Sequence, residues 1–300
     1  MKKLPYGISN YEELIEDGYY YVDKTMYIKK LENLAEKRIL FLRPRKFGKT
    51  LFTSTLENYY DLKKVDKFER LYGQTYIGKN STKLKNSYHI LKFNFSGIDT
   101  ENEDTTIKGF KKEVASSIKL FVEKYGLDFY INTDDEAENI LDNLIKAFTI
   151  QKTEEKIYVI IDEYDHFANE LLGFNISSDK TQDREFNAMM GFTEQELREL
   201  MKAQNIEEEK QEELIPVMRE NYDGYRFSLH GKEKIYNSSM CLYFLNNYVR
   251  FHEVPEQIID VNIASDYTKL GKMLDLCQGE EREKVIEKTV SGEGIVSEIR

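Results

Sequence analysis

The sequence predicts an α/β fold: a parallel sheet with crossover helices, followed from about residue 176 by a mainly helical region. Three observations carry this expectation. A short β-prone run, "RILFL", feeds a glycine loop and then the helical segment "KTLFTSTLENYYDL". A second apolar run, "IYVIID", ends in a cluster of acids. Between the two the order is helix, strand, helix, helix, and strands separated by helices pack as a parallel sheet with right-handed crossovers.

Each element has a local reason. Ser9 and Glu12 form a capping box, which starts a short helix near Asn10. "DGYYYVDKT" reads as a turn and a short extended piece. "MYIKKLENLAEK" places Met26, Ile28, Leu31 and Leu34 at close to helical spacing. "RILFL" is compact and β-prone, the pattern of a buried strand. "SYHILKFNFSGI" alternates around Ile90, Lys92, Phe93 and Phe95, so it reads as a strand. One helix follows within Thr105 to Tyr125. Another begins at Thr133, capped with Glu136, and runs to about Phe148. "KIYVIIDEYD" is a further buried strand. In the second half, Thr193 and Glu196 cap the helix "EQELRELMKAQ". "IEEEKQEELIPVMREN" is helical with a solvated acidic face. "YDGYRFSLHGKEKIYN" is turn-rich and holds a small hairpin. Ser238 or Ser239 starts the helix "MCLYFLNNYVRF", and the end is a helix with a glycine-bearing tail.

Composition narrows the function classes. The chain has 300 residues, 40% hydrophobic and 32% charged, with 21 Tyr and 17 Phe, which is enough apolar material for a sizeable core. A formal net charge of -11 argues against a surface built for non-specific binding to a phosphate backbone. Autonomous nucleic-acid binding is therefore not expected. A local basic cluster does exist in Lys37, Arg38, Arg43, Arg45, Lys46 and Lys49. Cys241 and Cys277 lie far apart without metal-ligand spacing and read as reduced thiols. The four histidines make no metal-binding pair, so zinc is not expected. No apolar stretch follows the first lysines, and "IYVII" is too short to span a bilayer. A cytoplasmic location with no membrane partner is the expectation.

The chemistry lies in the glycine loop and the acid cluster. A strand, a glycine loop and a helix in that order are the setting a phosphate site needs. Loop N–H groups wrap an anion, and the helix N-terminus adds partial positive charge. In such a site Gly48 lets the backbone come close, Lys49 reaches the β- and γ-phosphates, and the Thr50 hydroxyl ligates Mg²⁺. A Gly-Lys-Thr tripeptide alone also occurs by chance at helix starts. The second motif adds weight. Asp162 ends an apolar strand, where a carboxylate directed at Mg²⁺ belongs in an open α/β sheet. Glu163 beside it suits a base that activates water. The bland alternative for both acids is a solvated strand end. Arg43 stands where the ordinary loop has its first glycine, and Pro44 keeps the chain extended there. Two occupations are open to Arg43 and Arg45: charge near a bound phosphate, or solvated surface cations.

"RPRKFGKT" together with "IDEYD" resembles the AAA-ATPase-like family of prokaryotic P-loop proteins. That family's loop reads Arg-Pro-Arg-x-Phe-Gly-Lys-[Ser/Thr], which would make Arg43 a family feature. "LPYGISNYEELIEDGYYYVDKT", "LKFNFSGI", "FNAMMGFTEQEL" and "NYDGYRFS" followed by "IYN" are similar to further family segments, in the family's order. The resemblance implies a P-loop NTPase core of the additional-strand catalytic-glutamate type over residues 1–175 and a helical, lid-like region over 176–300. It implies ATP and Mg²⁺ as cofactors. Arg43, Pro44, Arg45, Lys46, Phe47, Gly48, Lys49, Thr50 and Leu51 would form the nucleotide-binding loop. Thr50 and Asp162 would hold the metal, and Glu163 would be the catalytic base. Many members continue into a PD-(D/E)XK-type nuclease, a motif this sequence does not contain.

A second departure concerns the sheet. Family members carry a further strand after the acid cluster, whereas "IDEYDHFANELLGFN" runs almost directly into "ISSD" here. The missing strand would lie between the loop strand and the Asp162 strand. Without it, those two strands must pair directly or leave backbone groups unpaired, and buried unpaired groups cost roughly 1–3 kcal/mol each. Direct pairing is the expectation, with ATP turnover weak or lost. Three functions compete: an ATPase that drives a nuclease or other effector protein, a nucleotide-binding scaffold that does not hydrolyse, and the ATPase part of a nucleic-acid processing system.

Overall fold

The computed structural model of the chain describes residues 1–98, 102–132, 135–152, 154–163 and 178–260. Thr133, His166, Cys277, the Asn175–Ile176 junction and the C-terminal tail lie outside the described residues. The described part is mixed α/β with two short parallel ladders.

The first half opens with α1 (Tyr11–Glu16) and α2 (Met26–Glu32). The cap of α1 is Asn10, not Ser9: its side chain accepts from Glu13 N at 3.3 Å. Burial sets that phase, because Tyr11 and Leu14, three residues apart, must face the core together. β1 (Ile39–Leu40) precedes the loop, and α3 (Lys49–Tyr60) follows it. A 3-10 segment (Leu62–Lys67), α4 (Phe68–Tyr72) and α5 (Tyr76–Lys79) lead to β2 (Tyr88–Asn94). Then come α6 (Glu103–Tyr125), α7 (Ala137–Gln151) and β3 (Lys156–Asp162). The helix expected from Thr133 starts at Ala137, because Glu136 is extended and serves as its N-cap.

The second half holds β4 (Ser178–Asp179), α8 (Glu194–Ala203), α9 (Glu208–Tyr222) and α10 (Ser238–Phe251). The Thr193–Glu196 capping box on α8 forms as expected. Asn237, rather than a serine, caps α10 by accepting from Ser239 N and Met240 N. The turn-rich stretch before it closes a single antiparallel bridge, Tyr225 with Ile235.

β2 and β3 pair in parallel from Tyr88 with Lys156 to Asn94 with Asp162. Side chains alternate between the faces of this pair. Ile90, Tyr158 and Ile160 face the cluster built on α3, whereas Leu91, Phe93, Ile157 and Ile161 face the cluster built on α6 and α7. The ladder is thus covered by helices on both faces. A separate apolar cluster joins α8, α9 and α10, with Leu197, Leu200, Leu214, Phe244 and Leu245 at its centre.

Two expectations about the sheet change. β1 is a half-buried pair of residues instead of the buried strand "RILFL". Its partner β4 gives only two residues of ladder, and then a side chain takes over: Leu42 N donates to Thr181 Oγ1 at 2.8 Å. Direct pairing of β1 with β3 is also not found. Among the described residues, β1 pairs with β4 and β2 with β3, and no ladder joins the two sheets. Side chains bridge them instead. Phe41 beside β1 and Ile90 and Ile160 of the other sheet pack in one cluster with Phe52, Leu56 and Tyr60 of α3. Apolar packing is non-directional and does not need a shared ladder.

Candidate functional site

The loop Arg43–Gly48 turns into α3 through two residues in the left-handed region, Lys46 (φ 66) and Gly48 (φ 88). Gly48 adopts this conformation without a Cβ penalty and is the N-cap of α3, so the loop ends on a helix N-terminus. Lys49 is the first helical residue. Its ammonium folds back and donates to Arg43 O at 3.0 Å and Pro44 O at 3.2 Å. Burial lowers its pKa from the ordinary value, opposed by the nearby carboxylates of Glu163 and Asp162. Lys49 and the two acids are therefore close enough to interact electrostatically.

The register of β3 explains why. Asp162 lies an even number of residues from Tyr158 and Ile160, so its side chain falls on the α3 face. It is 2% exposed. On α3 the residues at i+4 and i+8 from Lys49 are Thr53 and Glu57, which with Lys49 make a polar stripe on one side of the helix. Thr53 Oγ1 sits 3.5 Å from Asp162 Oδ2, and Glu57 pairs with Lys92 of β2 at 3.2 Å. Thr53 was not foreseen from the motifs. Its position one helical turn beyond Lys49 is the signal that could have found it.

Glu163 ends the strand in the left-handed region, with φ 53. Its N–H donates to Asp162 Oδ1 at 3.1 Å, which fixes the carboxylate of its neighbour. A residue with a side chain costs roughly 1–2 kcal/mol in this conformation. Such strain concentrates at functional sites.

Arg43 has an occupation other than the two expected. It is 6% exposed, so it is no surface cation. Its guanidinium donates to the carbonyls of Leu42 (2.8 Å), Thr181 (2.9 Å) and Phe186 (3.0 Å). It also lies 4.0 Å over the Phe227 ring. Burial pulls its pKa down to about 10, with Asp179 opposing. The side chain is a strut between the loop and the segment after β4. Arg45 and Lys46 are exposed, Phe47 is 1% exposed, and Thr50 and Leu51 are half-buried in the first turn of α3. A cavity of about 430 Å³ lined by Glu194, Arg219, Asp223 and Tyr236 lies elsewhere, and its Glu194 is already paired with Arg198 and Arg219.

No group of three or more His, Cys, Asp or Glu is placed to hold a metal among the described residues. No helix among the described residues is long and apolar enough to cross a membrane.

No solved structure matches the chain. A protein of Azotobacter chroococcum mcd 1, described as "Uncharacterized protein in vnfD 5'region", is 46% identical over 61 residues, or 20% of this chain. The match spans about a tenth of that relative's length, 11%. The family model AAA-ATPase_like, described as "Predicted AAA-ATPase", matches residues 5–206, a stretch that contains the loop, α3, β3 and the capped start of α8. The chain belongs to this predicted AAA-ATPase family.

Proposed function

We propose that the chain binds ATP with Mg²⁺ in the Arg43–Leu51 loop and couples the nucleotide to an effector protein, with turnover weak or absent. The observation that carries this is the convergence of Lys49, Thr53 and Asp162, brought together by the helical turn of α3 and the register of β3. In this reading Lys49 exchanges its two carbonyl partners for phosphate oxygens. The helix N-terminus at Gly48 adds to the attraction. Thr50 and Asp162 hold the metal, and Glu163 orients and deprotonates water. Bound Mg²⁺ would supply charge neutralisation at the phosphates.

The sheet is what supports the weak-turnover part of this reading. Catalysis by positioning requires the loop and the acids to be held at a fixed spacing, and a misplacement of about 1 Å can cost on the order of 10²-fold. Here no ladder among the described residues ties β1, which feeds the loop, to β3, which carries the acids. Residues 1–175 then act as the ATPase-like core and 176–300 as a lid-like region, with β4 reaching back to β1. The net charge of -11 favours a protein effector over autonomous nucleic-acid binding. Calorimetric titration with ATP and Mg²⁺, paired with a phosphate-release assay, tests the proposal. Binding with slow or no release supports it. Absence of binding refutes it, and fast release lost in Glu163→Gln refutes the weak-turnover part.

A further inference from the structure

The back of the loop is gripped by residues far away in sequence. Gly191 N donates to Phe47 O at 2.9 Å. Ser239 N and Ser238 Oγ donate to Lys46 O at 3.2 and 3.3 Å. Asn237 Nδ2 donates to Arg45 O at 3.5 Å. Three successive loop carbonyls therefore end on Gly191 and the start of α10. The Phe47 ring is fixed as well, edge-on to Tyr225 and Phe227 at 4.7 and 5.4 Å. Gly191 has to be glycine: its φ is 78, and a Cβ there would meet Phe47 Cδ1 at 2.9 Å and Ile235 Cγ2 at 2.5 Å.

In a trans peptide the C=O and the N–H of the next residue point in opposite directions. Holding the carbonyls of Arg45, Lys46 and Phe47 therefore fixes the N–H groups of Lys46, Phe47 and Gly48 toward the other side of the loop. In a phosphate loop those are the donors that face the anion. We infer that Ser238 and the first turn of α10, with the Gly191 N–H, are positioning groups of the nucleotide loop. The inference rests on the proposed nucleotide reading and extends it: the site is completed from the second half of the chain. Coupling is reciprocal. Phosphate binding on one side of these peptides must tighten the hold of α10 on the other, which gives the helical region a direct means of sensing the nucleotide.

Amide hydrogen exchange of the full chain, with and without ADP and Mg²⁺, tests this together with binding to Ser238→Ala. Slower exchange over residues 237–241 as well as 43–53 is expected. Ser238→Ala should bind ADP about 3-fold more weakly, the effect of one modest hydrogen bond, and Ser238→Thr should recover it. A purely structural serine would move the melting temperature and leave the exchange response intact. If ADP protects 43–53 and leaves 237–241 unchanged, the inference is overturned while the nucleotide reading stands. If ADP protects neither, both are overturned. If Ser238→Ala does not fold, the exchange result on the unaltered chain decides.

Discussion

Thr53 Oγ1 donates to Thr50 O at 3.0 Å and at the same time lies 3.5 Å from Asp162 Oδ2. One hydroxyl thus stands between the first turn of α3 and the carboxylate at the end of β3. Thr53→Val keeps the shape and removes the polar oxygen. The expected outcome is nucleotide binding that loses much of its dependence on Mg²⁺, while Thr53→Ser retains it. Titrations at several Mg²⁺ concentrations check this, and an unchanged Mg²⁺ dependence in Thr53→Val would remove Thr53 from the site.

Arg43→Gly should destabilise the fold, although glycine is the ordinary residue at this point of a phosphate loop. The change deletes the donors to Thr181 O and Phe186 O and the cation over Phe227. Leaving buried carbonyls unsatisfied costs on the order of 2–4 kcal/mol in total. Arg43→Lys should not rescue it, because an ammonium cannot reproduce a planar fork. Urea unfolding measures the difference. A midpoint equal to that of the unaltered chain would show that the strut contributes nothing.

Glu163 holds its backbone in the left-handed region, with φ 53. Glu163→Gly should raise stability by roughly 1 kcal/mol, because glycine adopts its left-handed conformation without strain. Both Glu163→Gly and Glu163→Gln should keep ATP binding and lose any residual turnover. Thermal unfolding and phosphate release read the two effects separately, and a less stable Glu163→Gly would contradict the strain argument.

His89 should make stability depend on pH. It is 3% exposed, ringed by Phe121, Tyr125 and Phe148, and its pKa is lowered from 6.5 by burial, with Glu155 opposing. The unfolded chain then binds a proton at higher pH than the folded chain does. Stability should be unaffected by this group well above pH 6.5 and should fall as pH drops below it. Glu12 and Glu194, whose pKa values are lowered from 4.5, add losses at lower pH. His89→Phe should flatten the melting temperature between about pH 5 and 7. A profile identical to that of the unaltered chain would exclude His89 as the cause.

What was legible in the sequence is what is local. Periodicity located α2 and β2, the glycine loop located α3, an apolar run located β3, and the Thr193–Glu196 box located α8, because those signals are local in sequence. The Gly48–Thr50 and Asp162–Glu163 motifs pointed to residues that the structure brings within electrostatic reach of one another. Distant partners were not legible. The length of β1 depends on Ser178 and Asp179, and the burial of Arg43 depends on Thr181, Phe186 and Phe227. The direct β1–β3 pairing was expected from backbone hydrogen bonding alone. The cluster of Phe41, Phe52, Ile90 and Ile160 satisfies the apolar side chains without it.

The central claim is that Lys49 serves a bound phosphate, and titration of the purified chain and of Lys49→Ala with ATP and Mg²⁺ tests it most directly. Among the described residues the hydrogen bonds of the Lys49 ammonium go to loop carbonyls, so the variant should fold and melt close to the unaltered chain. Its affinity should fall at least about 10-fold, the loss of a charge-assisted contact. Equal affinity in two folded proteins would contradict the account.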